Sequence, residues 1–147
     1  MTTYKRGKDF PAEQFVQVAI EAYFLNQGFN LDRSRHVDLA CVHPITGERW
    51  QIESKGISAA IGLDFRTGLG QLLQRMTDRA VKHGVAVPKI PQYEAQISKM
   101  TPWVVDLLGI HWFLIRSDGS VEWLPPNAEI DRRNTPGSTA APSPPSN

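Results

Sequence analysis

The sequence predicts an α/β protein, in which a mixed β-sheet has helices on both of its sides. Two segments carry apolar residues at spacings of three and four, which is the period of an amphipathic helix. Short segments rich in β-branched and aromatic residues lie between and after these segments, separated by Pro, Gly and Asp. An order of helix, strands, helix, strand, helix and strands is typical of a sheet packed between helices.

The first helix is predicted to begin near Pro11 and to end at Gly28, because proline favours a first helical turn and glycine a C-terminal cap. Its apolar face consists of Val16, Ala19, Ile20, Tyr23 and Phe24. Three short strands are predicted next, in FNLDR, HVDLACVH and RWQIESKG. The turn PITGE joins the last two, so we expect them to form an antiparallel hairpin.

A second helix is predicted from about residue 66 to residue 83, with Asp64 as its N-cap. Its apolar face consists of Leu69, Leu72, Leu73, Met76 and Ala80. A strand, VAVP, follows, and then a helix in YEAQISKMTPWVVDLLG, of which Pro102 starts or kinks the last part. The turn at Ser117-Asp118-Gly119 predicts a final hairpin between IHWFLIR and SVEWL.

Composition and charge restrict the classes of function. The 147 residues are expected to form one domain over residues 1–124, followed by a disordered tail over residues 125–147 that is rich in Pro and Ser. No apolar run reaches the roughly 18 residues that cross a bilayer, and Cys41 is the single cysteine, so we expect a soluble, cytoplasmic protein. With 16 Lys and Arg against 15 Asp and Glu, binding to nucleic acid requires local clusters of charge.

The strand WQIESKG carries the main candidates for chemistry. Side chains alternate along a strand, so Glu53 and Lys55 share one face and Ser54 is expected to face the core. If the hairpin forms, Asp38 comes close to both charged residues. Two neighbouring carboxylates favour a divalent cation between them, and oxygen ligands suit Mg²⁺. The alternative is an exposed strand face that carries an ordinary ion pair, since this spacing occurs by chance in many proteins.

Val37-Asp38 and Glu53-Ser54-Lys55, set in a helix, hairpin, helix and strand, resemble the PD-(D/E)XK superfamily of restriction-endonuclease-like nucleases. The resemblance covers residues 10–88. Similarity of DFRTGLGQLLQRM, GVAVP and WFLIRSDGSVEW to the fdxN-element excision-controlling-factor group extends it to about residue 124. It implies a restriction-endonuclease-like sheet and a metal-dependent phosphodiesterase. Asp38 and Glu53 would bind Mg²⁺, with Mn²⁺ as a substitute, and Lys55 would be the catalytic lysine.

The sequence departs from this pattern on the first helix. Many members have a glutamate there, whereas this chain has Gln17. The nearest acids are Glu13, which lies one turn earlier on the same side, and Glu21, so Glu13, Gln17 and Glu21 all stay open as additional site residues. Val37 replaces the usual proline. On the second helix, Gln71 matches a glutamine that reaches toward the site in related nucleases; the other interpretation is a polar residue on a solvent-facing surface.

The resulting expectation is a Mg²⁺-dependent DNA endonuclease that acts in DNA-element excision, recombination or defence. Arg66 and Arg75 are predicted to contact the DNA backbone. We expect no separate specificity domain, and therefore a homodimer or a targeting protein partner that pairs through the edge of the final hairpin. Two alternatives stay open, a non-catalytic accessory factor that binds DNA or protein with the same fold, and a plain α/β domain with a solvated charged face.

Overall fold

The structure, a computed structural model, describes residues 7–127, which form four helices and one six-stranded sheet. The helices are α1 (Glu13–Asn26), α2 (Ile61–Gln74), α3 (Pro91–Ser98) and α4 (Pro102–Leu108). The strands are β1 (Asn30–Leu31), β2 (Leu39–Val42), β3 (Arg49–Ser54), β4 (Val81–Pro88), β5 (Ile110–Ile115) and β6 (Val121–Leu124). The predicted α/β class and mixed sheet are confirmed.

The strands lie in the sheet in chain order from β1 to β6. Strands β1, β2 and β3 pair antiparallel, β3, β4 and β5 pair parallel, and β5 and β6 pair antiparallel. A parallel pair needs a crossover connection, and here α2 connects β3 to β4 while α3 and α4 connect β4 to β5. The two predicted hairpins, β2/β3 and β5/β6, therefore flank a parallel centre.

Helices cover both faces of the sheet, as predicted. On one face, Phe113 and Ile115 of β5 pack in a core cluster with Ile20 of α1. The alternate residues of the same strand, Trp112 and Leu114, belong to a second cluster that contains residues from α2, α3 and α4. Since successive side chains of a strand point to opposite faces, the two clusters lie on opposite sides of the sheet.

The first helix has the predicted face and end. Its buried residues, Val16, Ala19, Ile20 and Phe24, recur at spacings of three and four. The helix ends at Asn26, and the main-chain N–H of Gly28 donates to the carbonyl of Leu25 at 3.0 Å. Gly28 has a φ of 92°, which suits glycine because it has no Cβ.

The predicted bounds of the second helix are wrong at both ends. The helix α2 begins at Ile61, so Asp64 lies in its first turn and donates its N–H to the carbonyl of Ala60 at 2.9 Å. Residues 81–83 belong to β4, which pairs with β3 from its first residue. Asp78 stabilises the turn between them, because its Oδ1 accepts the N–H of Ala80 at 2.9 Å and its Oδ2 accepts from Arg49 at 2.9 Å. Strand pairing and this turn therefore override the helical pattern.

The last part of the described chain follows the sequence closely. Pro102 starts α4 as a helix separate from α3, and Gly119 turns the final hairpin with a φ of 87°. Of the predicted disordered tail, the structure describes 125–127, where the N–H of Asn127 donates to Asp106 Oδ1 at 2.7 Å. The rest of that tail lies outside the described residues. None of the helices in residues 7–127 has the length and apolar composition that crossing a membrane requires.

Candidate functional site

The β2/β3 hairpin brings Asp38 and Glu53 together. Leu39 pairs with Ile52 in the antiparallel register, so the next position places Asp38 opposite Glu53. The carboxylate of Asp38 is held in place, since its Oδ2 accepts the main-chain N–H of Ser54 at 2.8 Å. The turn between β2 and β3 and the register of their pairing therefore place the two carboxylates at the same end of the hairpin, as the sequence predicts.

Glu53 is buried beneath α2. The residue is 4% exposed, and its Oε2 accepts a hydrogen bond from Nη1 of Arg75, which follows the last residue of α2. Ser54, on the other face, is also buried, as expected. The exposed strand face that the sequence left as an alternative is contradicted at Glu53, because helix α2 covers the carboxylate.

The electrostatic environment of Glu53 is strongly perturbed. Burial raises the pKa of Glu53 to about 7, and the negative charge of Asp38 and a hydrogen bond with Asp38 act in the same direction. The positive charges of Arg75 and Lys55 act to lower this pKa. The carboxyl group of Glu53 therefore changes its charge close to neutral pH, where a carboxyl in water would be fully ionised.

Lys55 lies one residue beyond β3 and continues the sheet, because its N–H donates to the carbonyl of Ala86 at 2.9 Å. Its side chain passes over Gly68 of α2, where a Cβ atom would lie 2.7 Å from Lys55 Cε. Real Cβ atoms do not approach so closely, so glycine at this position leaves the space that the lysine occupies. Gly68 therefore allows α2 to pack closely on the side chain of Lys55.

The chain after Lys55 is fixed by two helices. The carbonyl of Gly56 accepts a hydrogen bond from the hydroxyl of Tyr93, which is fully buried, at 2.7 Å. A side chain on Gly56 would collide with the main chain of Glu13 at the start of α1. Ile57 donates its N–H to the carbonyl of Pro11 at 2.9 Å. The main chain that carries Lys55 therefore has little freedom to move.

Of the three first-helix candidates, Gln17 and Glu21 lie next to Asp38. The Nε2 of Gln17 donates to the carbonyl of Asp38 at 2.7 Å and to Oε2 of Glu21 at 2.8 Å. Glu21 and Asp38 also line a small cavity of about 130 Å³, together with Arg33 and Arg35. Glu21 is therefore the acidic residue of α1 that lies beside Asp38, whereas the main chain of Glu13 lies against Gly56.

The other predicted residues occupy different positions on α2. Gln71 and Arg66 are exposed, and within residues 7–127 neither forms a hydrogen bond or ion pair with Asp38, Glu53 or Lys55. Arg75, predicted from the sequence to contact DNA, is paired with Glu53. The pair was not predicted from the sequence, because the predicted helix continues past Arg75 and places that residue in its middle.

The donor set fits a cation that keeps most of its water ligands. Within the described part of the chain, no group of three or more His, Cys, Asp or Glu side chains is arranged to hold a metal ion. Asp38 and Glu53 offer two carboxylates at hydrogen-bonding range. Mg²⁺ is commonly bound by one or two carboxylates and several waters, so two such groups are sufficient. Arg75 occupies one oxygen of this pair.

Comparison of the chain with protein-family models, with curated proteins and with solved structures gives no match. Inference about function therefore starts from the residues of the site, Asp38, Glu53, Lys55 and Arg75.

Proposed function

We propose that this protein is a metal-dependent nuclease of the PD-(D/E)XK type that hydrolyses phosphodiester bonds in DNA. The observation that carries the proposal is the opposition of Asp38 and Glu53 at the end of the β2/β3 hairpin, with Lys55 one residue beyond β3. The element order supports it, because a helix, an antiparallel hairpin, a helix and a parallel strand make up the restriction-endonuclease-like arrangement that the sequence resembles.

In this proposal Asp38 and Glu53 hold Mg²⁺ or Mn²⁺. Such a cation would polarise a phosphoryl oxygen and increase the acidity of a water ligand. The chain contributes rigidity to the two carboxylates. Asp38 is held on one side by the N–H of Ser54 and on the other by the amide of Gln17 at its carbonyl. A carboxylate fixed in this way loses little further conformational entropy when it binds a ligand.

Lys55 is the residue proposed to face the phosphate. Its ammonium group offsets the negative charge that develops on the phosphoryl oxygens during attack by water. The fixed main chain on either side of Lys55 and the contact of its stem with Gly68 limit the directions in which the ammonium group can point. This arrangement supports an electrostatic role in the transition state, because such a role depends on charge placed in advance.

The substrate proposed is DNA, held by local arginines. The net charge of +1 gives no general attraction to a polyanion, but Arg33 and Arg35 line the cavity that contains Asp38.

A protein partner is proposed as well, either a second copy of the chain or a targeting protein. Among residues 7–127, strand β6 lies at one edge of the sheet, the position from which a sheet extends by pairing with another strand.

The test is cleavage of a supercoiled plasmid in Mg²⁺ and in Mn²⁺. We expect nicking by the wild-type protein, and rates that are slower by at least about 100-fold in Asp38→Asn and Lys55→Ala. Asp118→Asn and Lys99→Ala are matched controls, because they remove the same charges at exposed positions away from the site. Circular dichroism checks the fold of each variant. Equal rates in the site variants and the controls would contradict the proposal.

A non-catalytic accessory role is the second candidate. The observation that favours it is the ion pair between Arg75 and Glu53, which leaves one carboxylate of the site already occupied. In that case Asp38→Asn binds DNA or a protein partner as tightly as the wild-type protein does. Neither the variant nor the wild-type protein nicks DNA. Binding of a fluorescent duplex, measured beside the nicking assay, distinguishes the two functions.

A further inference from the structure

We infer that Arg75 exchanges partners, so that its guanidinium group leaves Glu53 for a phosphate of the DNA backbone and thereby opens the carboxylate pair to the divalent cation. The inference rests on the proposed function, because it assumes that DNA and a cation meet at this site. It assigns Arg75 two successive partners and makes the loading of the cation depend on the presence of nucleic acid.

Arg75 and a divalent cation compete for Glu53. The guanidinium donates to Oε2 of a carboxylate that is 4% exposed and lies against Asp38. A cation held by Asp38 and Glu53 would share that carboxylate with a second positive charge, and the two repel each other at short range. Tight binding of the cation therefore requires that Arg75 withdraw.

Leaving the carboxylate of Glu53 without a positively charged partner costs free energy. It is a buried carboxylate beside a second carboxylate, so its charged form needs a positive partner. Gln51, which lies on the same face of β3, already has a buried Oε1 with no hydrogen-bond partner among the described residues. Loss of Arg75 without a replacement would add a further unpaired acceptor, which favours an exchange of cations over simple opening.

The side chain of Arg75 is able to move without disturbing the fold. Its side chain is 32% exposed, because it follows the last residue of α2 at the rim of the site. Its main chain is anchored, since its N–H donates to the carbonyl of Leu72 at 3.0 Å and His83 forms a hydrogen bond with its backbone. Rotation about side-chain bonds alone therefore carries the guanidinium outward.

The new partner of Arg75 is a phosphate of the DNA backbone. A guanidinium group presents parallel N–H donors that match the oxygens of a phosphate as well as those of a carboxylate. Asp38, Gln71 and Gln74 are exposed, so the segment before β2 and helix α2 each present polar surface to a DNA backbone. Lys55 follows β3 directly, and its stem lies over Gly68.

The experiment measures Mn²⁺ binding by calorimetry, without DNA and with a saturating short duplex. Without DNA, we expect Arg75→Gln to bind Mn²⁺ about tenfold tighter than the wild-type protein. With DNA, we expect the affinity of the wild-type protein to increase about tenfold and that of Arg75→Gln to change little. Arg116→Gln is the matched control, because it removes the same charge from an exposed position on the final hairpin without touching Glu53, and it should behave as the wild-type protein does.

Each outcome has a distinct meaning. Equal Mn²⁺ affinities in the wild-type protein, Arg116→Gln and Arg75→Gln, with no effect of DNA, would overturn the exchange while leaving the metal site in place. Failure of Mn²⁺ to bind any of them, even with DNA, would overturn the proposed function itself. If Arg75→Gln does not fold, the wild-type measurement with and without DNA still decides, since the exchange requires the affinity to rise when DNA is present.

Discussion

At the scale of single residues, the candidate site consists of the carboxylates of Asp38 and Glu53 and the guanidinium group of Arg75, which pairs with Glu53. Asp38 and Glu53 lie opposite each other because the turn PITGE closes a hairpin, and the alternation along β3 then fixes their face. The contact with Arg75 depends on where α2 ends, and the sequence pattern continues well past that point. Side chains placed by local pairing rules are accessible from sequence, whereas those placed by a helix terminus in three dimensions are not.

Glu53 makes the stability of the protein depend on pH. Its pKa is raised from 4.5 to about 7, first by burial and then by Asp38, so the folded state binds this proton more tightly than the unfolded state does. The contribution of this group to the free energy of unfolding is therefore fully present below about pH 4.5 and is lost as the pH rises toward about 7. The Glu53→Gln variant has no carboxyl group to ionise at this position, so this decrease in the free energy of unfolding does not occur in it.

The prediction is that Glu53→Gln unfolds at a higher temperature than the wild-type protein at pH 8, by about 3 °C, and that the difference shrinks at pH 5. Thermal unfolding followed by circular dichroism at both pH values measures it. Glu94→Gln is the control, since Glu94 is paired with Lys89 at the surface and its loss should not produce the same change with pH. A Glu53→Gln variant that is less stable at pH 8 would show that the ion pair with Arg75 outweighs burial.

At the scale of elements, α1 and the final hairpin followed local pattern, while the boundary between α2 and β4 did not. Apolar residues continue at helical spacing through Met76 and Ala80, which favours a longer helix. The chain instead turns at Asp78, because Val81 pairs with Arg49 in the parallel register of β3 and β4. Pairing between strands distant in sequence decides this boundary, and a single sequence carries no local signal for it.

The contact between α2 and β3 yields a prediction with a matched control on the same helix. Gly68→Ala would place its Cβ 2.7 Å from Lys55 Cε and so push the lysine out of its position, whereas Gly70 has open space around it. We expect Gly68→Ala to fold but to nick plasmid DNA at least about tenfold more slowly. Gly70→Ala should keep its nicking rate and gain roughly 0.5–1 kcal/mol of stability from helix propensity.

Nicking rates and urea denaturation of both variants test this assignment of Gly68. If Gly68→Ala nicks DNA as fast as Gly70→Ala, the position of the Lys55 side chain does not matter for the reaction. If Gly68→Ala fails to fold while Gly70→Ala is stable, the contact is one of packing, and the proposed role of Gly68 in placing Lys55 is wrong.

At the scale of the whole molecule, the layered architecture was predictable because each helix and most strands carry their own periodic pattern. The distribution of charge over the folded surface was not predictable in the same way, because the net charge of +1 gives only the total of all charges. In the structure Arg33 and Arg35 line the cavity that contains Asp38, where Arg33 pairs with Glu21 and Arg35 with Asp32, and Arg75 pairs with Glu53. Any attraction to the proposed substrate therefore comes from individual arginines that exchange an acidic partner for a phosphate, and not from a uniformly positive surface.

The salt dependence of DNA binding tests this distribution. Each phosphate neutralised by a cationic side chain contributes about −0.9 to the slope of log K against log salt concentration, so three arginines predict a slope of about −3. Arg33→Gln and Arg35→Gln should each reduce the magnitude of the slope by about 1. Arg116→Gln serves as the control, because Arg116 lies on the final hairpin and pairs with Glu122. A slope that changes equally in all three variants would place the DNA elsewhere, because contacts confined to one site respond only to the arginines that line it.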